Sequence, residues 1–95
     1  MVVAVTFEFD ADKSQSNREK HGIDFIEAQK LWFVSGYVVP GGHRPEARFL
    51  RIARLADGRL WTAIYTERGG NVRIISVRRA RKAEVEAYEK NLPEN

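Results

Sequence analysis

Large apolar side chains alternate with small or polar ones over residues 3–9 of the chain. The apolar positions of this alternation are Val3, Val5, Phe7 and Phe9. A period of two is typical of a strand that buries one face and exposes the other. The pattern therefore predicts a half-buried strand at the start of the chain.

Two helices are predicted to follow this strand. Asp10 fits an N-cap and Gly22 the position just past a helix end, so the first helix covers roughly residues 11–21. This helix is almost wholly polar, and its faces are therefore predicted to meet solvent or a partner. A second helix is predicted to start at Asp24 and to end at Gly36. Its predicted buried stripe is Phe25, Ile26, Ala28, Leu31 and Trp32.

The middle of the chain has the signals of β-structure. The predicted strands cover residues 37–39, 48–55, 60–66 and 72–78. Residues 40–42 read as a loop, Asp57-Gly58 as a tight hairpin turn, and residues 67–71, with two glycines, as a second turn. Consecutive hairpins predict an antiparallel meander.

A closing helix is predicted over residues 80–91. Its apolar side consists of Ala80, Ala83, Ala87 and Tyr88. The predicted order is β-α-α-β-β-β-β-α, with two N-terminal helices and one C-terminal helix. The fold class is therefore α+β, and we expect one sheet covered by one helical layer.

Length and composition limit the classes of protein that this chain can represent. Its 95 residues, 43% of them hydrophobic, predict a single domain over residues 1–95 with one modest core. Cysteine is absent, which is compatible with a reducing, cytoplasmic location. We expect no signal peptide and no membrane partner, because no segment approaches the ~18 apolar residues of a membrane span.

Charge is distributed unevenly along the chain. Residues 44–82 contain eleven Lys or Arg and three acidic residues, a balance of +8, whereas the remaining residues contain five basic and ten acidic ones, a balance of −5. Residues 73–82 alone hold five basic residues and no acidic one. Such a basic half favours a polyanionic partner, and RNA or DNA fits best.

Arginines on strands suit phosphate recognition, because a planar guanidinium offers paired donors to a phosphate. The arginines predicted to form such a surface are Arg48, Arg51, Arg54, Arg68, Arg73, Arg78 and Arg79. Any one of them could be an ordinary solvated residue, but as a set, with few acidic neighbours, they favour phosphate binding. Further candidates for RNA contact are Lys20, Tyr65, Arg81 and Lys82, although Tyr65 could instead belong to the core.

Few residues are candidates for acid–base chemistry. His21 is a candidate general base or acid, but a basic residue at the end of a helix also compensates the helix dipole. Ser76 fits a turn better than a nucleophile. Neither His21 nor His43 has carboxylates at metal-ligand spacing, so we expect no metal site and no cofactor.

A series of short motifs runs through almost the whole chain. They are Phe7-Glu8-Phe9-Asp10, Lys13, Asn17, Lys20-His21-Gly22, Phe25, Glu27-Ala28, Arg48, Gly58, Tyr65-Thr66-Glu67-Arg68-Gly69, Arg73-Ile74-Ile75-Ser76, Arg78-Arg79-Ala80 and Tyr88. In order and spacing the chain resembles the BrnT toxins of bacterial type II toxin–antitoxin systems. It departs from their pattern at Phe9, Ala11 and Val77, where Trp, Pro and Ala are usual.

The resemblance implies a RelE-like fold and a ribonuclease activity that inhibits translation. It also implies a cognate ribbon-helix-helix antitoxin, and promoter DNA bound only through that antitoxin. We expect metal-independent endoribonuclease chemistry, in which arginines stabilise the charge that develops on the phosphate. The predicted catalytic residues are Arg68, Arg73, Arg78, Arg79, Glu67 and His21.

Two other functions are compatible with the same residues. The chain could be a nucleic-acid- or ribosome-binding module without catalysis. It could also be an inactive protein whose basic face receives an acidic antitoxin segment. RNA cleavage by the purified chain separates the first interpretation from these two.

Overall fold

The computed structural model describes residues 5–92, which form five strands, three α-helices and one 3-10 turn. The elements are β1 (Phe7–Glu8), α1 (Ala11–His21), α2 (Phe25–Ala28), the 3-10 turn (Gln29–Trp32), β2 (Gly36–Gly42), β3 (Arg48–Arg54), β4 (Leu60–Arg68), β5 (Asn71–Arg79) and α3 (Lys82–Lys90). The predicted order of helices and strands is confirmed. The first strand is shorter than predicted, and Val3 lies outside the described residues.

The five strands form one sheet in the order β1-β5-β4-β3-β2. Strands β2 to β5 make the predicted antiparallel meander, and β1 pairs in parallel with the outer edge of β5. Residues 40–42 were predicted as a loop, but they continue β2 through an irregularity between Pro40 and Gly42. Glu67 was predicted in a turn, but it belongs to β4, and the turn itself is Gly69-Gly70, both with positive φ.

Helices cover both faces of the sheet, so the prediction of one helical layer is wrong. One face, here called the α1–α2 face, packs against Phe25 and Leu31. On the other face, here called the α3 face, Tyr88 of α3 packs against Ile52 and Leu60. Strand alternation makes this possible, because neighbouring residues on β3 and β4 point to opposite faces and both are apolar.

Two helices bury different side chains from those predicted. After Ala28 the second helix tightens into a 3-10 turn, in which residues three apart lie on one side. Phe25, Ala28 and Leu31 are therefore buried, whereas Ile26 is exposed. In α3 the side chain of Ala83 is exposed, and Val85, which was not predicted, packs in its place.

The polar helix α1 packs against the sheet through hydrogen bonds, not through apolar side chains. Two of its polar residues, Ser14 and Asn17, are buried. The Nδ2 of Asn17 donates to the carbonyls of Val77 and Ile23, each at 2.8 Å, and its Oδ1 accepts the backbone N–H of Val77 at 3.1 Å. The Ser14 hydroxyl accepts the N–H of Phe25 at 2.9 Å. The prediction that α1 faces only solvent or a partner is therefore wrong.

The short β1 explains why Asn17 is needed. β1 pairs only with Val72 and Arg73, so the outer edge of β5 has no strand partner farther along. Buried backbone N–H and C=O groups require partners. The side-chain amide of Asn17 hydrogen-bonds both the N–H and the C=O of Val77. It thus makes the hydrogen bonds that a residue of a neighbouring strand would make.

We predict that Asn17→Ala lowers the free energy of unfolding by about 2–4 kcal/mol, because it leaves the two polar groups of Val77 unpaired. Urea denaturation followed by circular dichroism measures the change. Gln15→Ala, at an exposed position of the same helix, is the control and should be nearly neutral. Equal stabilities for the two variants would contradict this role of Asn17.

Candidate active site

A row of polar side chains crosses the α3 face near one end of the sheet. The β1–β5 register places Glu8 beside Arg73, and the β4–β5 register places Thr66 on the other side of Arg73. Continuing the β3–β4 register one residue past its last pair brings Arg48 opposite Thr66. Cross-strand neighbours share a face, so Arg48, Thr66, Arg73 and Glu8 lie in line.

Arg68 joins this row through a glutamate that the sequence analysis did not select. Arg68 lies two residues after Thr66 and so points to the same face. Its Nη2 donates to the Oε1 of Glu46 at 2.7 Å. Glu46 lies in the loop between β2 and β3, and that loop is fixed to the sheet where the buried Thr66 hydroxyl donates to the carbonyl of Ala47 at 2.7 Å.

We call Arg48, Arg68, Arg73, Glu8 and Glu46 the arginine cluster. The hydrogen bond from Arg68 lowers the pKa of Glu46, and the charges of Arg68, Arg48 and Arg73 lower it further, so Glu46 is a carboxylate. The Nη1 of Arg73 lies 3.5 Å from the Oε1 of Glu8. Three cations and two anions leave the cluster with an excess positive charge.

Arg78 lies on the same face as Arg73, but it is held under α3. Its two terminal nitrogens donate to both carboxylate oxygens of Glu84, at 2.7 and 2.8 Å. Glu84 also accepts the Thr62 hydroxyl at 2.9 Å and the backbone N–H of Arg81 at 2.8 Å. This network fastens α3 to the sheet and gives Arg78 a structural partner in place of a phosphate.

Arg79 points to the opposite face. It lies over the ring of Trp61 at 5.8 Å, and the Trp61 indole N–H donates to Asp57 at 3.1 Å. One shallow pocket of about 260 Å³ is lined by Trp61 and Gly22. Because His21 directly precedes Gly22, it lies near the end of the sheet that contains Trp61. Trp61 and Arg68 stand seven residues apart on β4, roughly 23 Å at the usual rise of a strand. The structure therefore separates His21 and Arg79 from Arg68.

Glu67 and Tyr65 also belong to the α1–α2 face. Glu67 pairs with Val72, a residue of the core on that face, and thus points away from Arg68 and Arg73. Tyr65 is only 5% exposed and packs edge-on against Trp32 at 5.1 Å, and burial raises the pKa of its hydroxyl. Its ring is part of the core and is not available to stack on a base, contrary to its selection as an RNA contact.

The other selected arginines of β3 bind backbone carbonyls. The Nε of Arg51 donates to Leu31 at 2.8 Å and its Nη2 to Val34 at 3.0 Å, and burial lowers the pKa of this guanidinium. Arg54 donates to the carbonyl of Gly58 at 2.6 Å, within the β3–β4 hairpin. Both side chains stabilise local turns.

The remaining selected residues are exposed. Lys20 lies near the end of α1, and Arg81 and Lys82 lie at the start of α3. They are free to meet a polyanion but do not belong to the arginine cluster. Of the selected residues, the structure thus brings together Arg48, Arg68 and Arg73.

Glu46 and Glu8 are the members of the cluster that sequence reasoning missed. Glu46 had a usable signal, since it is one of only three acidic residues in the basic segment 44–82. Glu8 lies in the first predicted strand, but nothing in the local pattern shows that this strand pairs with β5.

Within residues 5–92 no group of three or more His, Cys, Asp or Glu side chains is placed to hold a metal ion. No helix in this part of the chain is long and apolar enough to span a membrane.

Comparison with known proteins gives a consistent set of similarities. The model of the family described as the ribonuclease toxin BrnT of type II toxin–antitoxin systems matches residues 9–84. That segment contains every residue of the arginine cluster except Glu8. The crystal structure of the Brucella abortus ribonuclease toxin BrnT is 26% identical in sequence and superimposes with a TM-score of 0.69, covering 83% of this chain and all of that one. No curated protein sequence matches significantly.

We predict that the Arg78–Glu84 pair stabilises the fold in a pH-dependent way. Burial opposes ionisation of Glu84, but hydrogen bonds from Arg78, the Arg81 backbone and Thr62 outweigh it and lower the pKa of Glu84 from 4.5 to about 2. A carboxyl group whose pKa is lower in the folded state than in the unfolded state stabilises the fold at pH values above its unfolded-state pKa. This stabilisation is lost as the pH falls through the folded-state pKa.

Glu84→Gln should therefore lower the free energy of unfolding by about 1–2 kcal/mol at pH 7, less than the whole shift would give because solvent screens part of the interaction, and the difference from the wild type should shrink between pH 4.5 and 2. Denaturation at a series of pH values measures it. Glu86→Gln, an exposed substitution on the same helix, should change little. A loss of stability that does not vary with pH would contradict the ion pair.

Proposed function

The chain belongs to the BrnT family of ribonuclease toxins of type II toxin–antitoxin systems, and we propose that its arginine cluster is the active site of a metal-independent endoribonuclease. The observation that carries this proposal is that Arg48, Arg68 and Arg73 share one face at one end of the sheet, where Glu46 is paired with Arg68 and lies within the electrostatic reach of the other two. Cleavage of cellular RNA would inhibit translation in the cytoplasm.

RNA cleavage of this kind needs cations at the phosphate. The 2′-hydroxyl gives its proton to a base and attacks the adjacent phosphorus, a 2′,3′-cyclic phosphate forms, and the bond to the 5′-oxygen breaks. That leaving oxygen takes up a proton from water, and negative charge accumulates on the phosphate oxygens in the transition state. Arg68 and Arg73 can donate two N–H groups each to those oxygens, and fixed donors of this type often supply the largest catalytic effect. Arg48 adds charge, and its buried Nε has no hydrogen-bond partner among the described residues, so this donor is available to a bound group.

Glu46 is our candidate for the base that accepts the proton of the 2′-hydroxyl. The Arg68 hydrogen bond keeps it ionised and oriented, and its place in the cluster puts it beside the phosphate that the arginines would bind. Glu67 was predicted from the sequence to be catalytic, but it points to the opposite face of the sheet. His21, near the far end of the sheet, is better placed to contact RNA outside the scissile phosphate.

Partners follow from the family. A cognate antitoxin, which we propose to be of the ribbon-helix-helix type, would neutralise the toxin and connect the complex to promoter DNA. Exposed Lys20, Arg81 and Lys82 would hold RNA outside the cluster by charge. A binding module without catalysis would use the same arginines, and the experiments below separate the two functions.

We predict that the chain expressed alone arrests bacterial growth, and that the purified chain cleaves RNA in excess chelator. Arg73→Ala should reduce the cleavage rate by about 10²–10³, the usual effect of removing one donor to a developing oxyanion. Arg73→Lys should restore it only partly, because a point charge does not reproduce bidentate contact.

Arg79→Ala is the matched control for Arg73→Ala, because Arg79 lies on the same strand but points to the opposite face. It should retain cleavage within a few-fold, and thermal melts should show both variants folded. Binding of RNA without cleavage by the wild type would favour the non-catalytic module. If Arg79→Ala abolishes cleavage and Arg73→Ala does not, the arginine cluster is not the active site.

We predict that Glu46→Gln lowers the rate constant for cleavage by about 10²–10⁴, the range for a positioned base, without weakening the binding of RNA. Because the pKa of Glu46 is lowered, the wild-type rate should stay constant as pH falls until that carboxylate is protonated, and then decline. Glu46→Gln should lack this decline. A pH profile shared by the two proteins would remove Glu46 from the chemistry.

A further inference from the structure

Thr66 lies between Arg48 and Arg73 on the α3 face, but it presents almost no surface to a substrate. It is only 2% exposed. Its hydroxyl donates to the carbonyl of Ala47 at 2.7 Å, so its one donor is already used. Thr66 can therefore influence chemistry in the arginine cluster only through the residue to which it is bonded.

That residue separates two members of the arginine cluster. Ala47 follows Glu46, the proposed base, and precedes Arg48 in the chain. The carbonyl that accepts the Thr66 hydroxyl belongs to the peptide unit between Ala47 and Arg48. A single buried hydrogen bond thus fixes the backbone between a carboxylate and an arginine of the proposed site.

Few other hydrogen bonds hold this part of the chain. Residues 43–47 make no hydrogen bond from backbone to backbone among the described residues. Their other hydrogen-bonded attachment is the ion pair of Glu46 with Arg68, whose side chains are 35% and 51% exposed. Solvent screens such a pair, so it holds a loop weakly. The buried hydroxyl of Thr66 is therefore the firm attachment of this loop to the sheet.

We propose that Thr66 is a positioning residue, which holds the Glu46 carboxylate in the arginine cluster through its hydrogen bond to Ala47. This inference rests on the proposed function, in which Glu46 is the base. A base must lie within about 3 Å of the proton that it accepts, so a small displacement slows the chemical step. The arginines that bind the phosphate are held by their own strands, so a loosened loop leaves RNA binding intact.

The test compares Thr66→Val and Thr66→Ser with the wild type. Valine keeps the branched shape of threonine but has no hydroxyl, and Ala47 is exposed, so water can take the place of the lost donor and the fold should be retained. We expect Thr66→Val to lower the rate constant for cleavage by about 10–10²-fold, with the dissociation constant for RNA unchanged. Thr66→Ser restores the hydroxyl and should recover most of the rate.

Thr62→Val is the matched control. Thr62 lies on the same strand and the same face and is also buried, but its hydroxyl donates to Glu84 of α3 and not to the loop. This variant should melt at a lower temperature than the wild type and keep the wild-type rate constant. Equal slowing by the two valine variants would show a general effect of disturbing β4 and overturn the proposal.

The titration of the Glu46 carboxyl group, followed by NMR, separates this proposal from the proposed function. The Arg68 hydrogen bond and the charges of the other two arginines of the cluster lower the pKa of Glu46. A carboxylate that is no longer held beside them should titrate at higher pH in Thr66→Val, but at the wild-type pH in Thr66→Ser and in the control variant. An unchanged titration in Thr66→Val overturns the role of Thr66. A raised pKa with an unchanged cleavage rate shows that Thr66 holds Glu46, and it overturns Glu46 as the base.

Discussion

The arrangement of the N-terminal half depends on the pairing of the Asn17 amide with the backbone of Val77. Helix α1 has almost no apolar side chains with which to find its place on the sheet. A buried amide that satisfies a donor and an acceptor at once fixes both its position and its orientation. The same side chain also donates to Ile23, so the turn into α2 is fixed together with α1. Strand β5 is in this way held on both sides along its length.

Because β5 is held in this way, strand alternation decides which arginines can act together. The basic segment 73–82 looks continuous in the sequence, but its arginines lie at three different places in the structure. Arg73 faces the open end of the sheet, Arg78 is enclosed by Glu84 under α3, and Arg79 lies on the other face against Trp61. Charged residues that are clustered in the sequence therefore need not be clustered in the folded structure.

The sequence predicted those features of the fold that local signals encode. Caps at Asp10 and Gly22 bounded α1, and turn glycines ordered the meander. It did not predict which face each helix covers, because apolar residues occupy both faces of β3 and β4. No local signal marks Asn17 as buried, because its partner Val77 lies 60 residues away. The motifs of the family resemblance include Arg68 and Arg73. Glu46 is brought to them only by the strand register and by the Thr66–Ala47 hydrogen bond, which no local pattern in the sequence shows.

The two glutamates of the arginine cluster also explain how three guanidinium groups can lie together at the edge of the sheet. Three guanidinium groups alone would repel one another and destabilise the edge of the sheet. Glu46 and Glu8 compensate this charge in the resting protein through ion pairs that solvent screens and that therefore stabilise little. In the proposed active site, a phosphate that offers bidentate contact would take the place of Glu8 at Arg73. The hydrogen bond from Arg68 would meanwhile keep Glu46 ionised and oriented beside that phosphate, so the carboxylate that compensates charge in the resting protein is also the proposed base.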